Sequence, residues 1–357
     1  MKIHLLTLSM GMLVLALAPA ASIIDFTSAE LSSEESTRQL YERWCKKYPD
    51  GRGCKDDDKS GRLDIFRSRA QEINIMNTGV IHNRRRLNEF SDITDDEFKE
   101  TFGSCFLKSR EELLEHDVIT GDQFTFANDD IPDYVDWASR GAVTQVMNQG
   151  SCGACWAFAA AGAVEGIHMI ENGILMQLSV QELLDCSISR GCNGGNAVKA
   201  FNHVIDADGI AKWEDNPYVA TRLNCHKAQK VVTIGGYKFV PRFNETALEQ
   251  AVASQPVVVS VDTTGWAKHY RAGRVFSGPC GQRPGHQALL VGYGTAQEQD
   301  IDGSNYTIDY WKIKNSWGIH RGEKGYYRLE RGYEETGGLC SILRFAMYPV
   351  EPIELID

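Results

Sequence analysis

The hydrophobic pattern is densest between Trp156 and Ile170, WAFAAAGAVEGIHMI, where Glu165 is the one acidic residue. The run predicts about four turns of helix, apolar on nearly every side and so buried. Before it, Gly150, Ser151 and Gly153 form a tight turn, and Cys155 falls on the first helical residue. Further on, Ser179 and Glu182 make a capping box opening a short helix that ends at Cys186. Another helix is expected from Ala197 to Ala207, stopped by Gly209. This stretch, 131–230, therefore reads as mainly helical.

From Val231 the period changes. Short β-rich runs appear at Val231–Ile234, Val257–Val261, Ala288–Tyr293, Tyr310–Ile313 and Gly325–Arg328. One helix interrupts them, Asn244 to Ser254, with Asn244 as its cap. With few helices between strands, an antiparallel sheet or barrel is expected over 231–357. The polar segment 295–308, TAQEQDIDGSNYTI, reads as a solvent loop.

Upstream, residues 21–130 are polar and helix-rich. Leu40, Tyr41 and Trp44 share one face of a helix over Ser33–Lys46. A second helix is expected over Asp58–Asn77, with Arg62, Phe66, Arg69, Ile73 and Asn77 every three or four residues. Thr94 or Asp95 caps a third, with Glu97 in its first turn. Residues 103–130 read as a loose linker. The first 20 residues have the form of a secretory signal: Lys2, an apolar core from Leu5 to Leu17, then Ala18-Pro19-Ala20. That apolar core is too short to span a bilayer.

Composition narrows the function classes. A net charge of −11 argues against a nucleic-acid partner, since phosphate binding needs a basic face. A secretory route leads to an oxidising compartment, where the ten cysteines should mostly pair. Cys45, Cys54 and Cys105 precede residue 131; the other seven follow it. Seven is odd, so the C-terminal part can form three disulfides with one thiol left over. Connectivity is open at this level. Cys45 and Cys54 suit a local bridge that would leave Cys105 unpaired. No Cys/His spacing suits a metal site, and no cofactor is implied.

The chemistry centres on Cys155. A helix N-terminus leaves backbone N–H groups without intrahelical partners, and the helix dipole favours negative charge there. Both lower a thiol's pKa and fill the nucleophilic thiolate form. The stretch Cys152-Gly153-Ala154-Cys155-Trp156 resembles the active-site signature of papain-like cysteine proteases. His286 in GHQALLVGYG and Asn315 in KNSWG lie where that family places its histidine and asparagine. IPDYVDWASRGAVTQVMNQG, from 131, resembles the family's mature N-terminus, and FANDDIP at 126–132 resembles the junctions of the plant papain–bromelain group.

The resemblance implies an α+β, two-lobed fold, a helical lobe and an antiparallel β-barrel lobe with the active site between them. It implies Cys155 as nucleophile, His286 as its imidazolium partner, Asn315 to orient the ring, Trp317 to shield it and Gln149 as oxyanion donor. It also implies disulfides Cys152–Cys192, Cys186–Cys225 and Cys280–Cys340, with Cys155 free. Gly194 and Gly195 would form a main-chain ledge for substrate. Asn196, Ala197, Ser260, Pro284 and Phe345 would line a shallow pocket for the residue second from the scissile bond. Phe345 closes its floor, which favours small or medium side chains.

Residues 21–130 resemble the inhibitory prosegment of such zymogens, with Asn88, Phe90 and Asp92 matching a second prosegment pattern. Asp58 and Arg69 replace a usual glutamate and asparagine, and Arg86 a glycine. Cleavage is expected near Ile131. In the mature part Gln287, Gly285 and Arg321 depart from the pattern, and the segment 295–308 lengthens a usual short connection. Sequons at Asn244 and Asn305 offer glycosylation, Asn305 the better placed.

The function implied is a monomeric thiol endopeptidase in an extracellular, vacuolar or lysosomal location. Its partners are protein and peptide substrates, its own prosegment and cystatin-like inhibitors, without nucleic acid or membrane. The alternative is a catalytically weak or inactive binding or storage protein on the same fold.

Overall fold

The computed structural model describes residues 24–49, 51–55, 59–78, 85–102, 124, 126, 131–267, 270–300 and 303–352. The signal-like 1–20, Asp58, Cys105 and nearly all of the linker 103–130 lie outside the described residues.

The prosegment opens with α1 (Glu34–Lys47), α2 (Arg52–Lys55) and α3 (Lys59–Met76). Leu40, Trp44, Phe66 and Ile73, the spaced apolar positions, are fully buried together in a core of their own. The polar positions of the spacing do different work. Arg62 makes two 2.8 Å contacts to Glu97, and Asn77 brackets the main chain of Arg85 with both ends of its amide. Arg69, standing for the usual asparagine, bonds Glu72 and Asp95. Thr94 is the cap of α4 (Asp95–Phe102): its Oγ1 accepts from Glu97 N–H, while Glu97 accepts from Thr94 N–H. Cys45 and Cys54 form the local bridge.

The central helix α5 runs from Cys155 to Asn172 and ends at Gly173, which takes the left-handed φ of 71° of a C-cap. Around it lie α6 (Val180–Cys186), capped by Ser179, and α7 (Ala197–Asp206), capped by Asn196. The β lobe carries α8 (Glu245–Ser254) with Asn244 as its cap. Its sheet is antiparallel and seven-stranded. The order is β4 (Gly236–Phe239), β9 (Ala346–Val350), β5 (Val257–Val261), β6 (His286–Gln299), β7 (Asn305–Lys314) and β8 (Tyr326–Glu330), with β1 (Val135–Asp136) pairing β6. Among the described residues no ladder joins β4 to β8, so hydrogen bonds do not complete the expected barrel. β2 (Ile210–Ala211) and β3 (Lys230–Val232) form a separate pair.

The segment expected to be a solvent loop is instead the end of a hairpin. β6 and β7 stay paired from Thr295↔Asp309 to Gln299↔Asn305. Its polar composition hid a period-2 pattern in which Glu298 and Ile308 are buried. β1, β4 and β9 went unread because they are short or broken by proline. One core joins both lobes, and it includes Phe90, Ile93 and Phe98 of the prosegment.

Candidate active site

The loop before Cys155 is shaped by covalent and backbone constraints. Gly150 has a φ of 61°, the Cys152–Cys192 disulfide ties the turn to the next loop, and Gly153 N–H donates to the Cys192 carbonyl at 2.8 Å. Ala154, the N-cap of α5, offers no side-chain hydrogen bond. The positive end of the helix is thus left to the cysteine beside it.

The three expected disulfides of the mature part are present. The expectation that Cys155 is free is overturned. Its sulfur is disulfide-bonded, no cysteine among the described residues is free, and its partner lies outside the described residues. Counting parity within the mature part alone caused the error. Three cysteines precede residue 131 and seven follow it, so each segment has one left over that can bridge the two. A bonded sulfur neither titrates nor attacks, so this form has to be reduced before Cys155 can act.

His286 is the first residue of β6 and is completely buried. Its Nε2 lies 2.9 Å from Asn315 Oδ1, which also accepts from the Ser316 backbone N–H at 2.7 Å. That second donor fixes Oδ1 as an acceptor, so Nε2 must carry a proton. The remaining nitrogen, Nδ1, is then the one able to exchange a proton with a thiol. Trp317 packs on the ring, with centroids 4.9 Å apart, and is itself stacked on Trp266 at 5.7 Å.

Gln149 is also buried and its amide orientation is set by neighbours. Oε1 accepts from Ser316 Oγ at 2.6 Å, and Nε2 donates to the Cys152 carbonyl at 2.9 Å. One N–H is therefore used within the nucleophile's own loop; the second is the one an oxyanion role requires. Ser316 thereby joins Gln149 to Asn315, a link sequence reasoning missed although Ser316 sits inside the KNSWG motif.

Gln287, noted earlier as a departure, ties the lobes together. Its Oε1 accepts from Ala197 N–H at 2.9 Å, the first turn of α7, and its Nε2 donates to Ser260 Oγ at 3.2 Å on β5. Ala197 and Ser260, two expected pocket residues, are thus bridged by a third side chain. Asn196 is occupied as a cap, accepting from Lys199 N–H. Pro284 and Phe345 are half-buried, and the Arg242 guanidinium lies over the Phe345 ring at 4.8 Å. Gly194 has a φ of 101°, and a Cβ on Gly195 would come within 2.5 Å of the Trp156 indole. Backbone conformation therefore demands the first glycine and packing the second.

Behind Cys155 a cavity of about 30 Å³ is lined by Cys155, Gln287, Asn315, Ser316, Lys314 and Glu165, among others. Lys314 Nζ donates to Thr144, whose hydroxyl donates to Glu165, which also accepts from Leu178 N–H. Burial pushes the Lys314 ammonium below its ordinary value while Glu165 pulls the other way. The chain of contacts joins β7 to α5 across the lobes.

The prosegment covers this site from one side. Phe90 and Phe98 set their edges against Trp317 at 5.7 and 5.8 Å, and Asn88 Nδ2 donates to the Ala267 carbonyl at 3.0 Å. Away from the site, His168 contacts Asn172 and His320 is exposed, while both sequon asparagines, Asn244 and Asn305, are exposed. Among the described residues no group of three or more His, Cys, Asp or Glu is placed to hold a metal, and no helix is long and apolar enough to cross a membrane.

The profile described as "Papain family cysteine protease" matches residues 131–350. Cysteine endopeptidase RepA of Oryza sativa subsp. japonica is 40% identical over 348 residues, covering 93% of this chain and 90% of that protein. Vignain of Ricinus communis is 39% identical, covering 98% and 95%. Among solved structures, the proform of the ragweed pollen allergen Amb a 11, a cysteine protease, superposes with a TM-score of 0.77 at 36% identity, covering 92% of this chain and 99% of that one.

Proposed function

The chain belongs to the papain family of cysteine proteases and is a cysteine endopeptidase made as a zymogen, and from that premise we propose how its residues divide the work. Cys155 is the nucleophile once reduced. His286 takes its proton through Nδ1, giving a thiolate–imidazolium pair, and later protonates the leaving amine. Asn315 holds the ring in that tautomer under the cover of Trp317. Gln149 and the backbone N–H of Cys155 stabilise the oxyanion, and water then hydrolyses the acyl-enzyme. The observation that supports this reading is the buried Gln149–Ser316–Asn315–His286 network, which sets the orientation of the Gln149 amide and the tautomer of the His286 ring.

The rest of the reading is that residues 21–130 are removed near Ile131 to leave a monomeric peptidase of 131–357. Substrate lies along Gly194 and Gly195. Its second residue enters the pocket of Asn196, Ala197, Ser260, Pro284 and Phe345, which Phe345 and Gln287 together make shallow. Cystatin-like inhibitors compete for the same cleft. The signal-like start sends the chain into the secretory route, to an extracellular, vacuolar or lysosomal end.

The test is kinetic. In the processed, reduced protein, Cys155→Ala and His286→Ala are each expected to lower kcat/KM on a peptide substrate by on the order of 10⁴–10⁶. Retention of more than a tenth of the activity by either variant would refute the assignment.

A further inference from the structure

Arg321 has no part in the chemistry above, yet it stands where the family pattern has a tryptophan. It lies on the loop after Trp317, which Gly318 and Gly322 shape with φ values of 87° and 56°. Its guanidinium lies over the Phe90 ring at 4.4 Å, in reach of a cation–π interaction. Phe90 belongs to the prosegment, and so does the residue before it. The Glu89 carboxylate accepts a hydrogen bond from the Gly322 backbone N–H and sits beside the Arg321 charge.

The same loop thus offers one cation and one N–H to an acid and an aromatic ring that are adjacent in sequence. Flanking contacts set the register. Asn88 donates to Ala267 O of the mature part, and Trp44 Nε1 donates to Asn88 O at 2.8 Å. Lys47 and Tyr48, at the end of α1, face Glu89 from the prosegment side, and Tyr327 faces it from β8.

We propose that the 317–322 loop is a charge-matched receptor for the Glu89–Phe90 dipeptide, and that Arg321 is the residue by which the protease recognises its own prosegment. Trp317 alone takes any aromatic side chain at this place. Arg321 adds a demand for an acid just before it, because an acid brought into this half-buried position without a cation loses hydration for no return. A prosegment with a neutral or basic residue there leaves Arg321 unmatched and docks less tightly.

Burial pushes the Glu89 carboxyl up, and the Arg321 charge, the Gly322 N–H and Lys47 oppose that shift.

The experiment uses the full-length zymogen, reduced and not yet cleaved. Iodoacetamide labelling of Cys155, followed by mass spectrometry, reports how often the prosegment lifts. Glu89→Gln and Arg321→Gln are each expected to speed labelling about tenfold, and the double variant no more than the faster single one. The reversed pair, Glu89→Arg with Arg321→Glu, is expected to recover at least half of the loss on a logarithmic scale. Glu89→Gln yields a mature enzyme of unchanged sequence, so its activity after processing certifies folding. Labelling rates that multiply in the double variant, or that stay at the wild-type value in both singles, would overturn the proposal.

Discussion

The catalytic cleft and the prosegment are held by different kinds of interaction. In the cleft, His286, Asn315, Ser316 and Gln149 are buried and joined by direct hydrogen bonds. Three disulfides close separations of 40, 39 and 60 residues around it, each worth roughly 4 kcal/mol by loop entropy. The described part of the prosegment has one disulfide between its own cysteines, across a separation of 9, worth roughly 2.6 kcal/mol on the same basis. Its own apolar core, with Leu40, Trp44, Phe66 and Ile73, supplies most of the rest, and ion pairs that water can reach, such as Arg62–Glu97 and Arg52–Glu97, add a little. One region is built to persist and the other to leave. Where they meet, near Trp317, aromatic edges, the Arg321 cation and the Asn88–Ala267 and Glu89–Gly322 hydrogen bonds do the holding.

The comparison can be broken at either end. The largest expected effect lies in the cleft. Gln149→Ala should lower kcat by about 10²–10³, because an oxyanion donor is lost. It should leave the prosegment's retention in the zymogen unchanged, since Gln149 touches none of its described residues. A fall in zymogen retention of similar size would mean that the two regions share a network after all.

A smaller effect belongs to the prosegment. Hydrogen bonding from Arg62 is the main cause that holds the Glu97 carboxyl at about 2. A depressed carboxyl contributes stability that is present above its unfolded value and lost as pH falls through the folded one. The prosegment should therefore stay folded at pH 5 and loosen between about 4.5 and about 2. Fluorescence of the buried Trp44 follows this. Arg62→Ala should flatten the transition in that window, and an unchanged acid midpoint would count against the pair.

Much of this was legible in the sequence because local rules and long-range needs agreed. Cys155 opens α5 as the apolar run demands, Asn244 and Ser179 cap as their side chains dictate, and Val257–Val261 is a strand in full. What stayed hidden depends on contacts between distant segments. The hairpin at Thr295–Ile308 looked like a loop because its buried face carries a glutamate, which bonds Arg274 and Tyr306. Gln287 and Arg321 registered only as departures, since neither Ala197 and Ser260 nor Glu89 and Phe90 is near them in sequence. The state of Cys155 was misread for the same reason: parity within one segment says nothing about a bridge that leaves it.

The central claim is that one sulfur, at the start of α5, does the chemistry once it is reduced and uncovered. The direct measurement is to process the protein in reductant, treat it with an irreversible epoxide inhibitor of thiol proteases and locate the adduct by peptide mass spectrometry. The account predicts one adduct, on Cys155, with loss of all peptidase activity in proportion to labelling. An adduct on another residue, or activity that survives full modification of Cys155, would contradict it.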